Sequence, residues 1–344
     1  MDIRREPITD RSAWRKADFE NDPSYVWQLS DDEVEDIDRA LQQAREKGRS
    51  VADMRESDFN LPHLGPALKT IQDELENGRG FSVIRGVPVD KYTLDELDPI
   101  YFAMVYHLGT PITQDTKGTL IEQVTDRGGS YQSIAVRGYT TRAELTPHCD
   151  SGDVVGLLCV RPALSGGLSQ ISSSMSIYNE LLANHPEYLE PLYRGFHYNI
   201  RGNGPAGQWE DVTRHRVPVY SYRDGILSCR FNHKAIKTAE QLPGVPPLTE
   251  LEHAAIDKVA ELAVRPDMRV DIAMQAGDIQ FLNNHWVLHT RTAYEDHPDP
   301  DRKRLLLRSW INVPIGRALD DAFADHYNTG PRQGPPVREL VGQG

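Results

Sequence analysis

Asn283-Asn284-His285-Trp286-Val287-Leu288-His289-Thr290-Arg291 and, after an acidic proline-containing loop over 295–301, Lys303-Arg304-Leu305-Leu306-Leu307-Arg308-Ser309-Trp310-Ile311 decide how this chain is read. Both stretches are short and apolar, and turn-forming residues such as Gly277-Asp278 surround them. That pattern predicts strands over 285–291 and 303–313. His285 and His289 are four apart, a spacing that on a helix suits a zinc protease. Such a protease needs a glutamate directly after the first histidine, and Trp286 stands there. On a strand, His285, Val287 and His289 share one face, so sterics alone does not choose between the histidines. The arginines that follow favour His289. Arg304 and Arg308 are in period-2 register with Leu306 between them. Paired arginines on a strand ordinarily mark a solvated edge, yet their neighbours here are leucines, Trp310 and Ile311. A buried guanidinium needs an anion, and a carboxylate gripped through two hydrogen bonds is the natural one.

A second histidine and a carboxylate come from His148-Cys149-Asp150. With 12 histidines and 51 acidic residues in 344, chance alone supplies about two such tripeptides, and three occur. His185-Pro186-Glu187 and His297-Pro298-Asp299 contain proline and fall at a helix start and in a loop, so both read as chance. His148 and Asp150 lie in period-2 register just ahead of an apolar strand at 154–160 and should point to one face. Two imidazoles and one carboxylate with open positions opposite are the ligand set of non-haem iron(II). Cys149, between them, should point away as a small buried hydrophobe.

Elsewhere, strands are expected at 80–86, 217–222, 226–231, 269–274 and 278–282, with Asp224-Gly225 marking a hairpin turn. Ser30 with Asp31, Asp32 and Glu33 opens a helix of about 16 residues ending near Gly48. Further helices are expected at 66–77, 94–107, 175–184 and 249–263. The fold class read from this is mainly β with flanking helices around a double-stranded β-helix (jelly-roll) core. The chain is taken as a single domain over 1–344: a helical N-terminal extension (1–79) packed on it, the jelly-roll core (80–313) with a lid insert at about 112–146, and a C-terminal tail (314–344).

The stretches 283–291 and 303–308, the H-x-D and Ser165-Gly166-Gly167-Leu168-Ser169 together resemble the taurine dioxygenase and 2,4-dichlorophenoxyacetate dioxygenase family, in order and in spacing, over roughly 80–313. The resemblance implies iron(II)- and 2-oxoglutarate-dependent oxygenation on a jelly-roll core. It implies His148, Asp150 and His289 as iron ligands, and Arg304, helped by Ser169, as the holder of the far carboxylate of 2-oxoglutarate. Arg308 would touch either the co-substrate or an anionic substrate. O2 would be the second co-substrate, and succinate and CO2 would be released. Relatives that halogenate have Gly or Ala in place of the carboxylate, so Asp150 implies hydroxylation or another outcome of hydrogen abstraction, such as desaturation or cyclisation. An aromatic residue often precedes the first iron histidine in the family; Pro147 stands here, so the substrate side is expected to differ. The lid insert offers Gln123, Tyr131, Arg137 and Tyr139 as substrate contacts, each equally readable as plain surface loop. Trp310 reads as a core aromatic.

A net charge of -13 excludes phosphate-backbone binding, which needs clustered Lys and Arg, so a small-molecule substrate is expected and no nucleic acid. Three cysteines without C-x-x-C spacing, no apolar leader and no membrane-length run predict a cytoplasmic protein without a membrane partner. Self-association as a homo-oligomer stays open. Two rival readings stand beside the main one: an iron jelly-roll enzyme of cupin type that uses no 2-oxoglutarate, and a non-catalytic small-molecule binder.

Overall fold

The computed structural model describes residues 3–314 and 317–338. Its largest sheet runs in the spatial order Val26–Gln28, Phe81–Arg85, Ile279–Asn283, Val154–Arg161, Leu305–Asn312, Thr110–Ile112, with Glu122–Val124 also pairing on Leu305–Asn312. All its pairings are antiparallel except the first, in which Val26 pairs with Val83. A second sheet places Ser169–Ser173 between Arg269–Ile272 and Val287–Arg291.

The side-chain period of two sets what each strand buries. Leu282, Val155 and Val83 of the large sheet meet Ile171, Val270 and Val287 of the small one in a shared apolar layer. Their neighbours Phe281, Val154 and Ile84 face outward, onto the helices Asp31–Lys47, Leu64–Asn77 and Leu94–Leu108. The outer side of the small sheet packs through Leu288 on the helices Ser174–Asn184, Leu189–Arg194 and Glu250–Val264. Each such large side chain, fully buried, contributes about 1.5–3 kcal/mol.

Local signals behave as expected at several places. Ser30 caps Asp31–Lys47, with Glu33 returning a hydrogen bond to the Ser30 N–H at 2.8 Å. Gly48 ends that helix at φ 60°. Asp224 and Gly225 both have positive φ in the turn between Tyr220–Arg223 and Ile226–Cys229, a hairpin geometry.

Three expectations need correction. The chain is mixed rather than mainly β, because helical residues outnumber strand residues. Sheets that are apolar on both faces need helices to cover them. The N-terminal extension also does more than pack on the core, since Val26–Gln28 joins the large sheet. Finally, the strand expected from 285 starts at Val287. Residues 284–286 form a tight turn, in which the Trp286 N–H donates to the Asn283 carbonyl at 3.1 Å. That turn carries the chain from the large sheet to the small one.

Candidate active site

His148 and His289 exchange backbone hydrogen bonds. The His148 N–H donates to the His289 carbonyl at 3.0 Å, and the His289 N–H to the His148 carbonyl at 2.7 Å. Residues paired this way across antiparallel segments project their side chains to the same side, and the two rings lie 4.4 Å apart. Asn284, in the corner turn, fixes the loop that follows. Its Oδ1 accepts from the Asp150 N–H at 3.0 Å and its Nδ2 donates to the Gly152 carbonyl at 2.9 Å. As a result, ligand atoms of His148, Asp150 and His289 all lie within 4.8 Å of one another.

His285 goes elsewhere. Buried at the corner turn, its Nε2 meets Asp153 Oδ1 at 2.9 Å, and Asp153 also binds Arg332 and the Val313 N–H. The face shared by His285 and His289 on a regular strand does not exist, because the strand begins between them. Cys149 packs into the apolar cluster behind the site and its Sγ accepts from the Phe231 N–H, as a buried hydrophobe would. Neither proline-containing tripeptide forms a metal cluster among the described residues.

The electrostatics suits a cation held by three protein groups. His148 Nδ1 meets the Thr146 carbonyl at 2.8 Å. A carbonyl only accepts, so Nδ1 carries the hydrogen and Nε2 keeps its lone pair for a metal. Burial pushes the pKa of His148 down, and pushes His289 down to about 3 with help from the nearby His148. Both rings are therefore neutral, as ligation requires. Burial alone would raise Asp150, but the charge of Arg308, the first of the opposing causes, holds the carboxyl below its ordinary range. Asp150 Oδ2 and His289 Nδ1 are buried without a hydrogen-bond partner. Orphaned groups in a cluster of two imidazoles and one carboxylate fit a divalent transition ion such as iron(II).

The triad opens into a cavity of about 150 Å³, roughly ten times what one water needs. It lies between the sheets. Arg304, Ser169, Arg308, Tyr131, Arg137 and Tyr139 all line it. Gln123 does not: on Glu122–Val124 it faces outward and is exposed, while its neighbour Val124 lines the cavity. Trp310 lines it too, 4.9 Å from the Arg308 guanidinium, so this buried aromatic also presents a face to the cavity. Residues of the presumed tail also reach in. Tyr327 bonds Ser151 at 2.9 Å and lies against Trp310, and His326 lines the wall beside it. The end of that tail, 339–344, lies outside the described residues.

Several lining residues escaped the sequence reading. Arg291 is two positions beyond His289 and hence on its face, a signal that was available. Its Nη2 donates to the Ala143 carbonyl while Nη1 is buried without a partner, as is Nη1 of Arg304. Both guanidiniums lie against the Tyr294 ring, at 4.6 Å and 5.1 Å. Burial lowers both arginines, Arg291 to about 10 with help from Arg304. Gln280 takes the Ser169 hydroxyl on its Oε1 at 2.8 Å and keeps a free, buried Nε2. Gln114, fully buried and outside the cavity lining, accepts from Arg308 Nε at 2.8 Å. Arg201 and Lys234 also line the cavity. No local pattern marks Gln114, Gln280, Arg201 or Lys234, which only the folding of distant segments brings here.

Residues 22–310 match the family described as "Taurine catabolism dioxygenase TauD, TfdA family". The chain belongs to this family. It is accordingly a 2-oxoglutarate-dependent dioxygenase, with iron(II) as cofactor and 2-oxoglutarate and O2 as co-substrates. Among TauD/TfdA relatives, the FR-33289 synthase of Streptomyces rubellomurinus (strain ATCC 31215) is 32% identical over 95% of this chain and 96% of that protein. A uridine-5'-phosphate dioxygenase of a Streptomyces species is 28% identical over 59% of this chain and 74% of that protein. Asparagine oxygenase, solved with Fe(II), 2S,3S-3-hydroxyasparagine and succinate, shares the TauD/TfdA fold at a TM-score of 0.66 and 18% identity, over 84% of this chain and 93% of that one. No helix among the described residues is long and apolar enough to cross a membrane.

Proposed function

We propose that this TauD/TfdA enzyme hydroxylates a small anionic organic molecule, with His148, Asp150 and His289 as the iron ligands. The observation that carries the reading is the convergence of these three residues on the wall of a cavity that also holds buried, unpartnered guanidinium nitrogens. Iron(II) with 2-oxoglutarate, when bound, supplies the activation of O2 that oxidises a substrate C–H bond with release of succinate and CO2. The protein's part is to bind and orient. Arg304 and Arg291, with free Nη1 atoms beside Tyr294, would hold the far carboxylate of 2-oxoglutarate, and Gln280 would add an amide donor positioned by Ser169. Arg308 keeps Asp150 ionised and turned so that Oδ2 stays free. Leu157, Leu306 and Met274 exclude water from that end of the cavity. The excess of cations along the wall supports an anionic substrate, and one relative is named for acting on uridine-5'-phosphate.

The two facing sheets are read as a double-stranded β-helix opened at its edges, with the chain as one domain and the segment 112–146 closing over the cavity. Anaerobic addition of iron(II) and then 2-oxoglutarate tests the function: a weak visible charge-transfer band is expected, and its absence with iron bound would refute the 2-oxoglutarate reading. Succinate release stimulated by candidate anions would then identify the substrate.

A further inference from the structure

The cavity holds more positive charge than the co-substrate and metal use. Among its described lining residues six are cationic and one, Asp150, is acidic. Arg308 faces Asp150 at 3.4 Å, and Arg291 and Arg304 flank Tyr294. Arg137, Arg201 and Lys234 remain, with no carboxylate among the described lining residues opposite them. In a chain of net charge -13 this local excess is not a reflection of overall composition. Half-buried cations without a counter-charge are costly until an anion arrives.

Their hydrogen bonds narrow what that anion is. Lys234 Nζ donates to the carbonyls of Tyr131, Ser133 and Val136, and Arg137 donates to the Gln114 carbonyl and to Asn203 Oδ1. These acceptors are neutral and leave the charges uncompensated. Arg201 lacks even those. Its Nε and Nη2 are buried without partners, and so is Nδ2 of Asn199. Asn199 Oδ1 accepts from the Arg201 N–H at 2.8 Å, which locks the two residues together. Arg201 sits at φ 49°, in the left-handed region that non-glycine residues enter at a cost, as they do at ligand sites. Three orphan donors on two tethered residues are satisfied by a group that only accepts.

We propose that Arg201 and Asn199, backed by the charges of Arg137 and Lys234, form a subsite for a phosphoryl or phosphonyl oxyanion carried by the substrate. The proposal rests on the oxygenase reading above and names the substrate class for that same site. A carboxylate or sulfonate brings one negative charge for three cations. A phosphate monoester, or an alkylphosphonate above its second pKa, brings close to two, with three acceptor oxygens. Arg201 and His148 line the same cavity, so the subsite and the metal cluster face one enclosed space.

The full chain, loaded anaerobically with iron(II) and 2-oxoglutarate, is titrated calorimetrically with methylphosphonate, methyl phosphate, methanesulfonate and acetate. The phosphorus dianions should bind at least about tenfold more tightly than the two monoanions, and their order separates a phosphonate from a phosphate ester. Arg201→Gln should weaken methylphosphonate by about ten- to a hundredfold and leave the 2-oxoglutarate charge-transfer band in place. Asn199→Asp keeps the acceptor for the Arg201 N–H but sets a carboxylate beside the guanidinium, and should abolish methylphosphonate binding in a protein that still folds. Equal affinity for all four probes, unchanged affinity in both variants, or displacement of 2-oxoglutarate by methylphosphonate would each overturn the subsite. Failure of the charge-transfer band in the unaltered protein refutes the oxygenase reading instead, while calorimetry with methylphosphonate still reads the subsite directly.

Discussion

Arg308 Nη1 donates to Asp150 Oδ1 at 3.4 Å, while Arg308 Nε is fixed at 2.8 Å by Gln114 Oε1. Gln114 in turn donates through Nε2 to the Arg308 carbonyl at 2.8 Å. The arginine is thus clamped from both ends and directs one carboxylate oxygen away from the cation site, leaving the other for ligation. Its guanidinium also lies 4.7 Å from the Tyr139 ring, so the segment 112–146 and Asp150 meet on one side chain.

Arg308→Ala should therefore weaken metal binding by about ten- to a hundredfold, the usual effect of removing a group that orients a ligand. The dissociation constant for manganese(II) or iron(II), measured without oxygen, checks this. Unchanged metal affinity would leave Arg308 to the substrate alone.

Arg304→Ala should raise the 2-oxoglutarate dissociation constant by roughly ten- to a hundredfold, as expected for losing a charge-assisted hydrogen bond, with iron affinity nearly intact. Arg291→Ala should act in the same direction, and the double variant should lose less than the sum of the two because both arginines share one site. Titration of the anaerobic charge-transfer band reads all three. Loss of iron from Arg304→Ala would mark that arginine as structural.

The two corner histidines separate cleanly by experiment. His289→Ala and His148→Ala should abolish stoichiometric iron binding. His285→Ala should keep it and cost about 1–3 kcal/mol of stability, because Asp153 loses a buried partner but retains Arg332 and the Val313 N–H. Iron content after gel filtration, together with urea midpoints, decides the assignment. Metal lost from His285→Ala but kept in His289→Ala would reverse it.

The metal-free protein should lose stability on mild acidification. Burial, the largest cause, lowers His148, takes His285 down to about 4 and His289 down to about 3 from an ordinary 6.5. An imidazole with a lowered folded pKa binds its proton preferentially in the unfolded chain. Stability is therefore full above about 6.5 and falls as pH drops through the window down to 4 for His285 and 3 for His289, by up to about 1.4 kcal/mol per pH unit for each. Asp153, which burial would raise but His285 and Arg332 hold down to about 2, adds its loss only in stronger acid. Urea midpoints of the metal-free chain between pH 7 and pH 5 check the direction, and a flat profile would contradict it.

The sequence by itself determined the family and offered the candidate ligand types in their order along the chain. The period-2 spacing of His148 and Asp150 suggested one face, and the leucines around Arg304 and Arg308 marked those arginines as buried. These signals are local: an alternation of two residues, a turn dipeptide, a charge inside an apolar run. Only the tertiary structure decided that His289 and not His285 joins the site, because a three-residue corner turn breaks the strand between them. It alone turned Gln123 outward and brought in Gln114, Gln280, Arg201 and Lys234 from segments far apart in sequence. A residue's partner across a cavity is fixed by how sheets and loops pack, and no periodicity within one segment encodes that distance.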